Sequence, residues 1–190
     1  MNEGTKVVER SKTVRLDNSE LARTSFWISQ VFMIVATVAG VYLAGREGLS
    51  QAIAFDNIDD AQTNYYLRRS LHDEVSENVN ILLDYVKTTR ENRPPDLRSV
   101  HPQLADFVWT NMKYSPNTLQ TPSELLTPIR QFYLQVGVLL ERMEARHLLR
   151  SKGLDELETL CSKMQSDVLP KLEHNYQDIA LELKQSNVGV

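Results

Sequence analysis

The chain has 190 residues, 42% of them apolar, with 21 Lys+Arg against 25 Asp+Glu for a net charge of −4. Residues 46–190 carry 16 Lys+Arg against 21 Asp+Glu, a net charge of −5 that argues against nucleic acid or an anionic lipid surface as the partner of that portion. Cys161 is the single cysteine, which excludes an intramolecular disulfide and leaves packing to hold whatever domain forms.

Residues 1–24 carry Lys6, Arg10, Lys12, Arg15 and Arg23 beside four acidic groups and are expected to be a short cytoplasmic leader without fixed structure. From Thr24 to Gly45, 22 consecutive residues are uncharged. At about 1.5 Å per residue such a helix spans roughly 30 Å, the hydrocarbon thickness of a bilayer. Phe26, Trp27 and Tyr42 stand near its ends, where amphipathic rings favour the interface. Secretory apolar regions run to only about 7 to 15 residues, so the expectation is an uncleaved signal-anchor at 25–45 rather than a cleaved signal peptide. Five basic residues precede the span and only Arg46 closely follows it, which predicts a cytoplasmic N-terminus and an exported portion from 46 to 190. None of the nine asparagines after the span lies in an Asn-x-Ser/Thr acceptor, which fits a periplasm and hence a bacterial inner membrane.

Within the span, Ala36, Gly40 and Ala44 recur every four residues. Their small side chains form a groove into which a second membrane helix can pack, with Gln30 and Thr37 able to add interhelical hydrogen bonds.

After the span, Leu49, Ile53, Ile58, Ala61, Tyr65, Leu71, Val75, Val79, Leu82 and Val86 make an apolar stripe at mostly three- or four-residue spacing. It predicts an amphipathic helix at about 47–89 that continues outward from the membrane and stops before Pro94 and Pro95, with Gly45 and Gly48 as points where it could bend. Six of the seven prolines fall between Pro94 and Pro128, marking a crossover at 90–121. A short helix at 103–113 is expected there, turning Leu104, Phe107, Val108 and Met112 inward.

Thr121 supplies a capping hydroxyl and Pro122 a first helical position for a helix at 122–151. Its stripe runs through Leu125, Ile129, Phe132, Val136, Leu139, Met143 and Leu149, and Ser151-Lys152-Gly153 reads as a basic last turn with a glycine stop. A final helix at 154–185 follows Leu154, Leu157, Leu160, Met164, Val168, Leu172, Tyr176, Ile179 and Leu183, kinked at Pro170. The last two helices are expected as an antiparallel hairpin. The fold class is therefore all-α: one N-terminal transmembrane helix and an elongated extracytoplasmic bundle of three long helices and one short one.

Glu144-Ala145-Arg146-His147 resembles the Glu-x-x-His ligand pair of di-iron carboxylate bundles, because residues three apart share a helix face. Such centres need two pairs and further glutamates, and the chain has one, so a solvated helix face is the expectation and no metal or other cofactor is assigned. His72 and His101 lack ligand spacing. Arg142, Arg146 and Arg150 would form an i, i+4, i+8 row able to meet an anion or a protein partner, with Glu141, Glu144, Asp73 and Glu77 as competing ion-pair partners. Cys161 beside Leu160 and Met164 reads as a buried side chain. No nucleophile has a recognisable base, and no glycine-rich phosphate loop occurs.

The functional expectation is a non-enzymatic, membrane-anchored interaction protein: an accessory or scaffold subunit of a cell-envelope complex, or a homo-oligomer. The alternative is an extracytoplasmic ligand-sensing bundle that signals through a partner, followed by a metal-dependent bundle enzyme.

Overall fold

The computed structural model describes residues 24–186, 188 and 189, so the leader expected at 1–24, with its basic residues, lies outside the described residues apart from Thr24. The described residues form helices and connecting turns, with no strand among them. They divide into two units, one ending at Ala52 and one beginning at Ile53.

Helix α1 runs Thr24–Asn92 and contributes to both units. In the first unit every residue from Thr24 to Ala52 is exposed apart from half-buried Gln30. The most apolar 18-residue window of α1 has a mean hydropathy of 1.8 and is 0% buried. Among the described residues nothing covers this stretch. It is one helix near the N-terminus that is long and apolar enough to cross a membrane.

Burial along α1 begins later than its apolar stripe, within the second unit. Leu49 and Ile53 are exposed, and the buried face runs from Asn64 and Tyr65 through Leu71, Val75, Val79, Leu82 and Val86 to Thr89. After Asn92 the chain turns at Arg93, enters a 3₁₀ turn at Leu97–Val100, and descends to the short helix α2, Phe107–Met112. This helix is shorter than expected, and Phe107 points outward at 75% exposure, while Met112 is buried. A second 3₁₀ turn, Pro116–Gln120, leads into α3, Ser123–Glu144. The Thr121 hydroxyl does not cap α3; it donates back to the Asn117 carbonyl at 3.3 Å.

The end of α3 corrects the expected boundary at 151. The His147 N–H donates to the Arg142 carbonyl at 2.8 Å and the Arg146 N–H to the Met143 carbonyl at 3.1 Å, with Arg146 at φ 60°. This is a Schellman stop, which satisfies carbonyls of the last turn and needs one residue in the left-handed region. Leu149, expected in the stripe, lies beyond the stop and is exposed. Helix α4 begins at Arg150 and runs to Lys163, so Ser151, Lys152 and Gly153 are its first turn rather than the end of α3. Gly153 has a packing role instead: a Cβ there would lie 2.3 Å from Met143 Sδ, so the start of α4 crosses the end of α3 where only a glycine fits without displacing Met143.

An ordinary side chain in the left-handed region carries about 1 to 2 kcal/mol of strain, partly offset by the backbone entropy a glycine would lose there. Arg146→Gly should therefore stabilise the protein by up to about 1 kcal/mol, read as a higher midpoint in urea unfolding. A destabilised variant would refute the assigned stop.

The expected final helix is divided. A π-helical turn, Met164–Val168, separates α4 from α5, Leu169–Gln185. Pro170 has no N–H for the preceding turn and its ring crowds the carbonyl four residues back, and a widened turn accommodates both. Buried residues continue on both sides as Leu154, Leu157, Cys161, Met164, Val168, Leu169 and Leu172. They join Leu71, Val75, Val79, Leu82 and Val86 of α1 and Leu125, Ile129, Phe132, Val136 and Met143 of α3 in one core. Each fully buried leucine or valine contributes about 1.5 to 3 kcal/mol relative to exposure.

Polar contacts fix the helix directions. Arg90 pairs with Asp155 at 2.6 Å and Glu158 at 2.8 Å, while Arg68 Nη1 donates to Asn175 Oδ1 at 2.7 Å, so α4 and α5 run antiparallel to this part of α1. Gln120, just before α3, lies beside Arg68, and Glu144 at the end of α3 bonds to His101 after the first 3₁₀ turn. Helix α3 accordingly runs in the same direction as α1.

Candidate functional site

Two buried polar ties hold the crossover against the long helices. In the first, the Glu74 carboxylate accepts from the Val108 N–H at 2.6 Å, the Trp109 N–H at 3.0 Å and the Tyr133 hydroxyl at 3.1 Å. Asn78, 0% exposed, gives its Nδ2 to the Ala105 carbonyl at 2.6 Å and accepts from the Ala105 N–H at 2.8 Å. Its amide thus pairs with a peptide group that would otherwise be orphaned in the crossover. Burial first, and then the nearby Glu74 charge, push the Tyr133 phenol above its ordinary pKa, which keeps its hydroxyl a donor. Trp109 stacks on the Tyr133 ring at 5.4 Å.

In the second tie, Arg68 is 7% exposed and donates through Nη2 to the Gln120 carbonyl at 2.9 Å as well as to Asn175. Desolvation lowers its pKa from the ordinary arginine value. Asn64 Nδ2 bonds to Gln120 Oε1 at 2.5 Å, and Gln120 Nε2 reaches Asp60 at 3.1 Å. The first tie is a closed set of structural bonds, the second leaves Asn64 Oδ1 and Arg68 Nε buried without a hydrogen-bond partner among the described residues, and neither sets a nucleophile beside its base.

The arginines expected as one row are divided by the Schellman stop. Arg142 lies on α3, Arg146 in the turn and Arg150 at the start of α4, where its Nη2 donates to the Pro94 carbonyl at 2.6 Å. Arg142 lines an open groove of about 610 Å³ between α3 and α4, with Leu134, Val138, Leu139 and Leu160 as its apolar walls. Arg146 and Arg150 line a different hollow of about 310 Å³ with Asp96 and Glu144. None of the three forms an ion pair with Asp73, Glu77, Glu141 or Glu144 among the described residues.

The same stop separates Glu144 from His147, so they do not share a helix face, and Glu144 bonds to His101 Nδ1 instead. No cluster of three or more His, Cys, Asp or Glu suited to a metal ion occurs among the described residues. Cys161 is buried and free, and its thiol is pushed up to about 11 by desolvation, which suppresses the reactive thiolate.

In the first unit Ala36, Gly40 and Ala44 are exposed, and a Cβ added at Gly40 would meet nothing within 4 Å. Thr37 spends its hydroxyl within the helix, on the Met33 carbonyl at 2.8 Å. Sequence reasoning misses Glu74 and Asn78 as ties. Their only signal is a polar residue at two positions of the same apolar stripe, four apart, between Leu71 and Leu82.

No protein-family model matches the chain, and comparisons with curated proteins and with solved structures give no match.

Proposed function

We propose that this chain is a single-pass membrane protein, anchored through 25–45 in a bacterial inner membrane with its N-terminus in the cytoplasm. Its helical unit lies on the periplasmic side and acts without catalysis, by docking onto a protein of the cell envelope or onto its own copy. The observation that carries this reading is the 0% burial of the most apolar stretch of α1. An uncovered apolar helix of this length finds its solvent in lipid, and the arginine-rich flank before it sets the orientation. The carboxylate, amide and guanidinium groups of the two polar ties are spent on joining the crossover to the long helices, which fits a rigid docking unit.

A reporter active only outside the cytoplasm should work when fused after Val190 and fail when fused before Met1. The reverse pattern overturns the orientation. Purification of the full chain in mild detergent should recover it with a second protein or as an oligomer, and recovery as a lone monomer overturns the docking role.

A further inference from the structure

The outer face of α3 carries a pattern that the fold of one chain does not explain. Arg130, Leu134, Gly137 and Glu141 follow one another at spacings of four, three and four residues, so they form a single stripe on an α-helix. All four are exposed, Leu134 at 64%, and Val138 beside them is exposed at 51%. A glycine inside a helix costs about 0.8 to 1 kcal/mol relative to alanine. Nothing among the described residues requires it here: φ at Gly137 is not positive, and a Cβ there would meet none of their atoms within 4 Å. Neither Arg130 nor Glu141 has an ion-pair partner among the described residues.

The stripe is its own complement when reversed. Its four residues are placed symmetrically about the midpoint between Gln135 and Val136, with Arg130 and Glu141 outside and Leu134 and Gly137 inside. We propose that α3 docks antiparallel onto α3 of a second copy of this chain. About a two-fold axis at that midpoint, Arg130 meets Glu141 of the partner subunit and Leu134 covers Gly137 of the partner subunit, each contact occurring twice. The missing side chain lets the two backbones approach to the short end of the usual helix spacing, and Val138 and the apolar walls of the adjoining groove flank the contact. A parallel pair would set arginine on arginine and glutamate on glutamate, so the charges select the antiparallel arrangement. The pairing lies wholly within the helical unit and is separate from the Ala36, Gly40 and Ala44 row. It names the partner for the docking role above and rests on that role, but not on the membrane crossing.

The test uses the full chain in mild detergent with Gly40→Ile, so that the anchor row contributes nothing, and reads the dimer by light scattering over a concentration series. Arg130→Glu and Glu141→Arg should each raise the dimer dissociation constant at least about tenfold, and the two together should restore it to within about threefold. Gly137→Leu should abolish the dimer while the monomer keeps the parent's far-UV helix signal, since in the single chain a side chain there meets open space. A monomeric parent, a double variant no better than either single one, or a dimer indifferent to Gly137→Leu overturns the pairing. Recovery of monomers together with a different protein overturns the self-pairing while leaving the broader docking role standing.

Discussion

Glu74→Ala should destabilise the helical unit by about 3 to 5 kcal/mol, among the largest losses any single polar substitution can produce in this chain. The truncation strips the acceptor from two backbone N–H groups, those of Val108 and Trp109, and from the Tyr133 hydroxyl, all held at 3.1 Å or less. Glu74 is 6% exposed, so water cannot simply replace the carboxylate without opening the crossover. Glu74→Gln should cost less, about 1 to 3 kcal/mol, because one oxygen remains to accept while the new NH₂ faces groups that are themselves donors. The measurement is urea unfolding of the full chain in a Trp27→Phe background, where the fluorescence of Trp109, stacked on Tyr133, reports the tie directly. A near-neutral Glu74→Ala would show that the crossover is held by apolar contacts alone.

Reading the sequence succeeds where hydrophobic period is the signal and fails where stereochemistry takes over. Apolar spacing identifies Leu71, Val75, Val79 and Leu82 of α1 and Leu125, Ile129, Phe132 and Val136 of α3 as one buried face each, because burial repeats with the helix itself. The break after Glu144 has no glycine, proline or asparagine to announce it. Arg146 adopts the left-handed conformation without the usual residue, and the nearby glycine, Gly153, belongs to close packing against Met143 rather than to a stop. That one displaced boundary also undoes the arginine row and the Glu-x-x-His face, both of which need the helix to continue. Glu74 and Asn78 escape notice for a different reason: their partners lie 27 to 59 residues away, beyond any local spacing rule.

Leu172→Ala should cost about 2 to 5 kcal/mol, and Leu160→Ala distinctly less, below about 2 kcal/mol. An apolar period of three or four leaves either Leu160 or Cys161 free to occupy the inward position between Leu157 and Met164. The structure gives it to Cys161, 0% exposed, and turns Leu160 half out toward the α3–α4 groove. Leu172, by contrast, is 0% exposed on the far side of the π-helical turn, so its removal leaves a cavity that α1 and α3 cannot close without moving. The comparison therefore reads the helical phase on both sides of Pro170. Urea midpoints of the two variants against the parent decide it, because the same amount of side chain is removed in each. Equal losses would mean that the widened turn does not put Cys161 inward and Leu160 outward. A near-neutral Leu172→Ala would remove α5 from the core altogether, and with it the antiparallel placement of Asn175 against Arg68.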